Sequence, residues 1–374
     1  MSIIKNPELK GILVLVLIMA VIGFAMMAMS GKLEQWFGIT WFSGPRALDK
    51  IVFVSDRDGT PDIYVMSTDG TGQTRLTSNA SPQSLPAVST SGNRIMFVSN
   101  AGGSSRVVSI GANGGEPVQV TTASGPKSEP AFSPDGKKMS FISGGRVYVA
   151  DLNGEGLDAV LPTDKEVRAA LGSALERGSL PPYPIHAWGP DGSSMAGVTT
   201  VNENCDVLVY LPKLADEPLR VPFVLNGEPG RISYISWAAG KPVLAITGTI
   251  GKQGMVALFD AESRQAMFMP TPKGYQFGSP ALSPDGGALV MCAKLGAKSA
   301  LVRIDLSSGQ SAAIAQGEFE GSAFSPKGDK ILATQIGADG KRDIVTIDPS
   351  SGQVTKLTSD GHSYNAVWTP ISEK

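Results

Sequence analysis

The amino-acid sequence predicts an all-β protein, a β-propeller built of four-stranded blades and preceded by one transmembrane helix. The first observation is a turn motif that recurs through the chain and reads EPAFSPDG at Glu129–Gly136. The second is that its copies lie about 45 residues apart with short apolar runs between them, a period typical of propeller blades. The third is the content of 44 glycines and 26 prolines, which punctuate many short strands.

The large apolar residue of each copy marks one repeat. Successive markers are separated by 44, 56, 49, 45, 42 and 44 residues. The markers are Val88, Phe132, Trp188, Trp237, Leu282, Phe324 and Trp368. Seven markers favour seven blades, with six as the alternative. Asp135 of the first motif is replaced by Ser91 and Lys327 in other copies, which indicates a turn residue and no catalytic acid.

The two ends of the chain are predicted to share one blade. Three strand runs, Lys50–Ser55, Ile63–Met66 and Thr74–Thr77, open the propeller without a motif strand before them. Near the other end, Val367–Pro370 carries a marker with no complete repeat after it. If this last strand pairs with residues 51–54, the ring is closed, and closure removes the exposed edges that an open array would leave.

Four sequence runs carry a family resemblance: SDRDG at Ser55–Gly59, IYVM at Ile63–Met66, RLT at Arg75–Thr77 and PAFSPDG at Pro130–Gly136. Together they resemble the TolB-like propellers built from WD40-like PD40 repeats, over about 320 of the 374 residues. The resemblance implies a bacterial envelope protein whose propeller recognises protein partners, with the first strand of each repeat nearest the axis. The TolB proteins themselves have a cleaved signal, an α/β domain before the propeller and six blades, and this chain departs from all three.

A hydrophobic segment follows a short amino-terminal tail, residues 1–10. Residues 11–29 are 19 uncharged residues, and at about 1.5 Å per residue such a helix nearly spans a hydrocarbon core of about 30 Å. We expect a retained signal anchor, and a cleaved signal peptide is the alternative. The residues expected to anchor the membrane are Ile12, Leu13, Val14, Leu15, Val16, Leu17, Ile18, Val21, Ile22 and Phe24.

Residues 30–49 form a juxtamembrane linker that is rich in aromatic side chains. Trp36, Phe37, Trp41 and Phe42 are expected to lie at the membrane interface, where amphipathic rings prefer the headgroup layer. The alternative is that these rings pack on the surface of the propeller. The propeller itself is expected to occupy residues 50–374.

A helical insertion is predicted at residues 164–185, where the regular marker spacing is interrupted. It lies between two blades, on the same face as the turn after Ser55, and inserted loops often mark the binding face of such rings. The alternative is a helix that packs over a blade edge. The candidate residues of a partner-binding face are Arg57, Asp58, Val167, Leu171, Leu175, Tyr183, His186 and His362.

No familiar set of catalytic or metal-binding residues is found in the sequence. The two histidines, His186 and His362, lie in different repeats, and neither a G-x-S-x-G elbow nor a phosphate-binding loop is present. Asp56, Asp58 and Asp62 could hold calcium, but Asp-Gly is also the expected turn chemistry there. We therefore expect no catalytic residue, no metal and no cofactor, and the two cysteines are not expected to form a disulfide.

These observations favour a non-enzymatic, single-pass protein of the bacterial inner membrane with its propeller on the periplasmic side. Its expected role is that of an interaction scaffold or accessory subunit of a cell-envelope complex, with envelope proteins as partners. The alternative is a ligand-binding or sensing propeller for a glycan or peptide at the channel mouth. A net charge of −2 argues against nucleic acid as a partner.

Overall fold

The computed structural model describes residues 46–78, 83–100, 103–120, 126–162, 182–201, 205–214 and 217–371. The predicted tail, the anchor and the aromatic linker up to residue 45 lie outside the described residues, and so does the helical insertion up to residue 181. In the part that is described, we find no helix with the length and apolar character needed to cross a membrane. All elements below belong to the compact unit Ala47–Lys374.

The described ranges contain 29 strands, which form seven separate sheets, and no α-helix. The first fifteen strands are β1 Lys50–Ser55, β2 Asp62–Ser67, β3 Thr74–Arg75, β4 Gln83–Val88, β5 Arg94–Ser99, β6 Arg106–Gly111, β7 Gly114–Gln119, β8 Lys127–Phe132, β9 Lys138–Ser143, β10 Arg146–Asp151, β11 Asp158–Leu161, β12 Ile185–Trp188, β13 Met195–Val201, β14 Cys205–Leu211 and β15 Leu219–Pro222. The others are β16 Val224–Leu225, β17 Glu228–Trp237, β18 Val243–Ile250, β19 Gln253–Asp260, β20 Gln265–Met269, β21 Gln276–Leu282, β22 Ala288–Leu295, β23 Lys298–Asp305, β24 Ser311–Gln316, β25 Glu318–Phe324, β26 Ile331–Ile336, β27 Arg342–Ile347, β28 Val354–Lys356 and β29 Ser363–Trp368.

Each sheet is one blade of an antiparallel meander, which confirms the predicted seven-bladed propeller. Blades 2, 3 and 4 are β4 to β7, β8 to β11 and β12 to β15, and blades 5, 6 and 7 are β16 to β20, β21 to β24 and β25 to β28. Blade 1 has the order β29-β1-β2-β3, with Ile51 opposite Trp368 and Val52 opposite Val367. The predicted closure of the ring by the two ends of the propeller is therefore confirmed.

The second strand of a blade is apolar on both faces because it lies between two neighbouring blades. In β1, Ile51 and Phe53 pack with Leu332 and other residues of blade 7, whereas Val52 packs with Ile95 of blade 2. Successive side chains of a strand point to opposite sides, so one strand supplies two core layers. The described residues form seven such clusters, one between each pair of adjacent blades.

The meander gives the ring two different faces. We call the face with the turns between first and second strands, which include the motif turns 133–137 and 283–287, the motif face. The hairpin face carries the turns between second and third strands, such as 56–61, together with the links from one blade to the next. The predicted insertion is such a link, and its described end already belongs to β12 at Ile185.

Asp135 shapes its turn through hydrogen bonds to its neighbours. The Ser133 hydroxyl donates to Asp135 at 2.6 Å and the Lys137 amide donates to it at 3.1 Å. Gly136 has a positive φ of 68°, and a Cβ there would lie 2.6 Å from the Thr90 hydroxyl of blade 2. A glycine is therefore needed both for the turn conformation and for the close approach of two neighbouring turns.

Several strands differ from their predicted bounds. The run at residues 74–77 supplies only the two-residue β3, and the outer strand of blade 2 starts at Gly114, before the apolar pair Val118 and Val120. Blade 5 has an additional strand, β16, which pairs with the start of the ten-residue β17. Outer strands have few buried contacts, so their bounds depend on backbone pairing more than on apolar pattern.

Neither cysteine forms a disulfide.

Candidate functional site

The hairpin face of blade 1 carries a polar group that we call the clasp: Asp56, Arg57, Asp360, His362 and Ser363. The Arg57 guanidinium lies 2.7 Å from the Asp360 carboxylate and donates to the Ser363 hydroxyl at 2.9 Å. It also lies over the rings of Phe53 and Tyr64, with its central carbon 5.6 and 5.0 Å from their centroids. Arg57 thus joins the first hairpin of the propeller to its last strand.

His362 completes the clasp from the same link. Its Nδ1 lies 2.7 Å from Oδ1 of Asp56, and the Asp56 amide donates to the His362 carbonyl at 3.1 Å. The next carboxylate, Asp58, accepts a hydrogen bond from Tyr64, and burial together with this bond raises the pKa of Tyr64 to about 12. The predicted face residues Arg57, Asp58 and His362 are therefore brought together, and each of them has partners within the chain.

His186 and Tyr183 lie in a different part of the ring, between blades 3 and 4. Nε2 of His186 is 2.7 Å from the Ser140 hydroxyl, and burial of the ring lowers the His186 pKa to about 4. Ser140 is fully buried, so this serine and histidine cannot act on a substrate as a nucleophile and base. Tyr183 is 2% exposed and packs in the core between the same blades. Val167, Leu171 and Leu175 lie outside the described residues.

The innermost strands share a distortion that sequence reasoning missed. Leu85, Glu129, Ser279 and Asn365 have φ values between 45 and 53°, each at a point where the pairing with the second strand shifts. These β-bulges re-aim side chains on the strand next to the axis. For Glu129, burial raises the carboxyl pKa. The only sequence signal is that the first three of these residues precede a proline.

A cleft opens where blades 5, 6 and 7 meet, and we call it the blade 6 cleft. It has a volume of about 290 Å³. Its lining is Tyr234, Gln276, Phe277, Gly278, Cys292, Ala293, Lys294, Ser299, Ala300, Gly317, Glu318 and Phe319. The Tyr234 side chain is 47% exposed, and a Cβ at Gly278 would lie only 3.3 Å from its ring. The glycine therefore lets the tyrosine ring lie flat on β21.

The charges around the blade 6 cleft are unequal. Lys294 Nζ lies 3.1 Å from Glu318 Oε1, and both side chains are about half exposed, at 51% and 48%. Burial, with the charges of Glu320 and Glu318, raises the pKa of the Cys292 thiol to about 12. Two carboxylates therefore act on the Cys292 side of the cleft.

Within the described ranges no three histidine, cysteine, aspartate or glutamate side chains come together as a metal site. The carboxylates that the sequence offers for calcium have other partners. Asp56 contacts His362, Asp58 accepts from Tyr64, and Asp62 pairs with Arg75. Each of the three carboxylates therefore has a partner within the chain.

Residues 43–166 match the PD40 family model, described as the TolB beta propeller domain. No curated protein matches the chain in sequence. Among solved structures, TolB from Acinetobacter baumannii is 15% identical with a TM-score of 0.53, and the match covers 90% of this chain and 70% of that protein. A Mycobacterium tuberculosis puromycin-hydrolyzing peptidase is 14% identical with a TM-score of 0.61, over 83% of this chain and 52% of the peptidase. An oligogalacturonate lyase in complex with manganese is 12% identical with a TM-score of 0.60, over 84% and 85%.

These comparisons confirm one prediction and correct another. The resemblance to TolB-like propellers is confirmed by the family match and by the fold. The prediction that the protein is not an enzyme is contradicted, because solved structures with this fold include peptidases and a lyase. The absence of familiar catalytic motifs does not decide activity, because one fold can host many unrelated functions. At these identities the likeness itself concerns the fold alone.

Proposed function

We propose that this TolB-like propeller is an interaction scaffold or accessory subunit of a bacterial cell-envelope complex, and that partners contact its hairpin face. The observation that carries the proposal is the apolar hairpin face of blades 5 and 6. There, β18, β19, β22 and β23 have eight residues each, whereas β5 and β6 of blade 2 have six. Long strands therefore end at this part of the face, next to the seven-residue β13 and β14 of blade 4.

Blades 5 and 6 also expose large apolar side chains. Tyr234 is 47% exposed, Val224 43%, Leu295 39% and Leu225 37%. Val118, Met267 and Val354, the exposed large apolar residues of β7, β20 and β28, are instead scattered one to an outer strand. Grouped apolar residues at a protein surface mark interaction sites, whereas single ones are ordinary. Burial of such a side chain contributes about 1.5 to 3 kcal/mol, so a partner that covers the group gains affinity from it.

Anchoring through residues 11–29, with the propeller on the periplasmic side, belongs to the same proposal. It is supported by the 19-residue uncharged run and by the aromatic residues after it. The chain enters the propeller on the motif face, where the Ala47 amide donates to the Gly92 carbonyl at 2.7 Å. The hairpin face is on the other side of the ring from this entry point.

Site-specific photocrosslinking in the native host tests the interaction. A photoreactive amino acid at Leu295 of the full-length protein is expected to capture one discrete envelope protein. The matched control position is Lys137 on the motif face, whose side chain is 79% exposed. Capture from Leu295 should disappear when Val224→Glu is added. No product from Leu295, or the same product from Lys137, would refute the proposed surface.

A further inference from the structure

We infer that the blade 6 cleft binds a single basic side chain, arginine or lysine, presented by a protein partner. The inference rests on the proposed function and names the chemistry by which the hairpin face recognises its partner. Three properties of the cleft carry it: its size, its aromatic wall and its charge.

The size of the cleft limits its occupant. A volume of about 290 Å³ lies just below the range of about 300 to 1,000 Å³ for small-molecule sites. Such a volume suits one long side chain. The cleft is also open at the surface, since Lys294 and Glu318 at its rim are about half exposed. An occupant can therefore enter while the rest of its chain stays outside.

The aromatic wall suits a cation. Tyr234 presents an exposed ring, and Phe277 stacks on Tyr275 with their centroids 6.2 Å apart. The ring of Tyr234 lies close to the backbone at Gly278, where a Cβ would come within 3.3 Å of it. Aromatic faces attract ammonium and guanidinium groups through the ring quadrupole, and arginine also stacks its plane on them.

The charge of the cleft selects the same occupant. Lys294 and Glu318 of the lining offset each other, and Glu320, outside the lining but near enough for its charge to act on Cys292, adds one negative charge. Because the pair between Lys294 and Glu318 is solvent-exposed, it is weak, and an incoming guanidinium can replace the ammonium. A phosphate or carboxylate ligand would be repelled. A neutral sugar could donate hydroxyl hydrogen bonds to the carboxylates, but it would gain no charge–charge attraction from them.

The test uses ¹⁹F NMR on the full-length protein in mild detergent, with 3-fluorotyrosine incorporated at Tyr234. The probes are acetyl-arginine amide and its neutral isostere acetyl-citrulline amide. We expect a saturable shift with the arginine probe and an affinity at least tenfold lower for the citrulline probe. Equal response to the two probes, or response to neither, would overturn the inference.

Variants that change the charge of the cleft add a second test. Damage to the fold could weaken binding of the probe but could not strengthen it. Glu318→Gln with Glu320→Gln should weaken binding of the arginine probe, whereas Lys294→Met should strengthen it because Glu318 is released from its partner. Glu155→Gln, on the motif face, is the matched control and should change nothing. Gly278→Ala displaces the Tyr234 ring without a change of charge and should also weaken binding. Unchanged binding in the double glutamine variant, or weaker binding in Lys294→Met, would contradict the assigned role of charge.

The two proposals fail separately. If Leu295 captures a partner but the arginine probe gives no saturable shift, the basic side chain is wrong and the interaction face stands. If the probe binds as expected but no partner is captured from Leu295, the cleft chemistry stands and the scaffold proposal is refuted.

Discussion

A serine and an aspartate recur together in the motif turns. The serine donates a hydrogen bond to the aspartate, which also accepts one from a backbone amide of the turn. In blade 6, Ser283 donates to Asp285 at 2.5 Å and the Gly287 amide donates to the same carboxylate at 3.0 Å. These two hydrogen bonds hold the pKa of Asp285 below its usual range. A lowered folded-state pKa stabilises the fold above the unfolded-state pKa, and this contribution is lost as the pH falls through the folded-state value.

His186 should make stability depend on pH in the weakly acidic range. Burial lowers its pKa from 6.5 to about 4, so below pH 6.5 the unfolded chain binds a proton that the folded chain does not. Above pH 6.5 the titration of His186 does not lower the free energy of unfolding. Between pH 6.5 and about 4 the free energy of unfolding falls as the pH falls. At about 1.4 kcal/mol per pH unit, the loss between pH 7.5 and pH 5 is about 2 kcal/mol.

Urea unfolding of the wild type and of His186→Gln at these two pH values measures the effect. Glutamine can still bind the Ser140 hydroxyl but does not titrate. The variant should lose about 2 kcal/mol less than the wild type between the two pH values. Parallel pH profiles for the two proteins would show that His186 carries no such linkage.

Cys292 should react slowly with thiol reagents at pH 8, because the thiolate is the reacting form. Burial and the charges of Glu320 and Glu318 raise the pKa of the thiol to about 12, so little thiolate is present. In a Cys205→Ser background, Glu318→Gln with Glu320→Gln should increase the rate several-fold, since less negative charge opposes ionisation. The rate of reaction with a chromogenic disulfide provides the measurement. The control, Glu155→Gln, should leave the rate unchanged. A rate that does not respond to Glu318 and Glu320 would show that burial alone sets the reactivity.

At the level of strands, tryptophans of the innermost strands connect one blade to the next. Trp237 donates to the Ala187 carbonyl of blade 4 at 3.3 Å, and Trp368 donates to the Ala323 carbonyl of blade 7 at 3.2 Å. The second bond lies at the closure between blades 7 and 1. The same motif position therefore serves an ordinary blade junction and the junction that closes the ring.

The clasp should contribute measurably to closure. Arg57→Met removes the ion pair with Asp360 and the bond to Ser363 from a side chain that is only 24% exposed, although Asp360 still accepts from the His362 amide and the Ser363 hydroxyl. We expect a loss of about 1 to 3 kcal/mol in the free energy of unfolding. Lys138→Met, which breaks the more exposed pair with Asp151, is the control and should change stability by less than about 1 kcal/mol. Equal losses in urea unfolding would refute a special role of the clasp.

The sequence allowed prediction of strands and turns where a local rule decides them. The buried run Lys50–Ser55 and the motif turn at Gly136 are of this kind, because burial on both faces and a positive φ each require particular residues. The extra strand β16 was not predictable, since only backbone pairing with Glu228 and Pro229 defines it. Bulges such as the one at Glu129 were not predictable either, because a shift of register depends on the neighbouring strand.

The candidate site was less predictable than the fold for a related reason. Tyr234, Phe277 and Glu318 come from blades 5, 6 and 7, and no motif or spacing links them. The prediction of a binding face was based on local signals in the sequence. The structure places two of its residues, Arg57 and His362, in the clasp and a third, Tyr183, in the core. A cleft between blades becomes visible only once the blades are assembled.

For the molecule as a whole, the seven core clusters form an unbroken cycle, so the ring has no natural first blade. A circular permutant should therefore fold. We expect this of a chain that joins residue 371 to residue 46 by a short linker and opens between Glu262 and Ser263, in the turn between β19 and β20. The joined positions are close, because the Asp49 amide donates to the Pro370 carbonyl at 2.9 Å.

Circular dichroism and the ¹⁹F response at Tyr234 should match those of the same propeller without permutation. The control is deletion of residues 363–374, which removes β29 and leaves the edge of β1 unpaired. This deletion should abolish cooperative unfolding and promote aggregation. A deletion variant as stable as the parent would show that closure is not needed for the ring.

The position of β29 also has a consequence for biosynthesis. It is translated after the other 28 described strands, yet it is the innermost strand of a blade whose other three strands emerge first from the ribosome. Throughout elongation, β1 therefore keeps an open edge that a neighbouring nascent chain on the same messenger could occupy. A translation product that stops before Ser363 keeps that edge permanently. An unpaired β1 edge is thus common to every product that stops between residues 56 and 362.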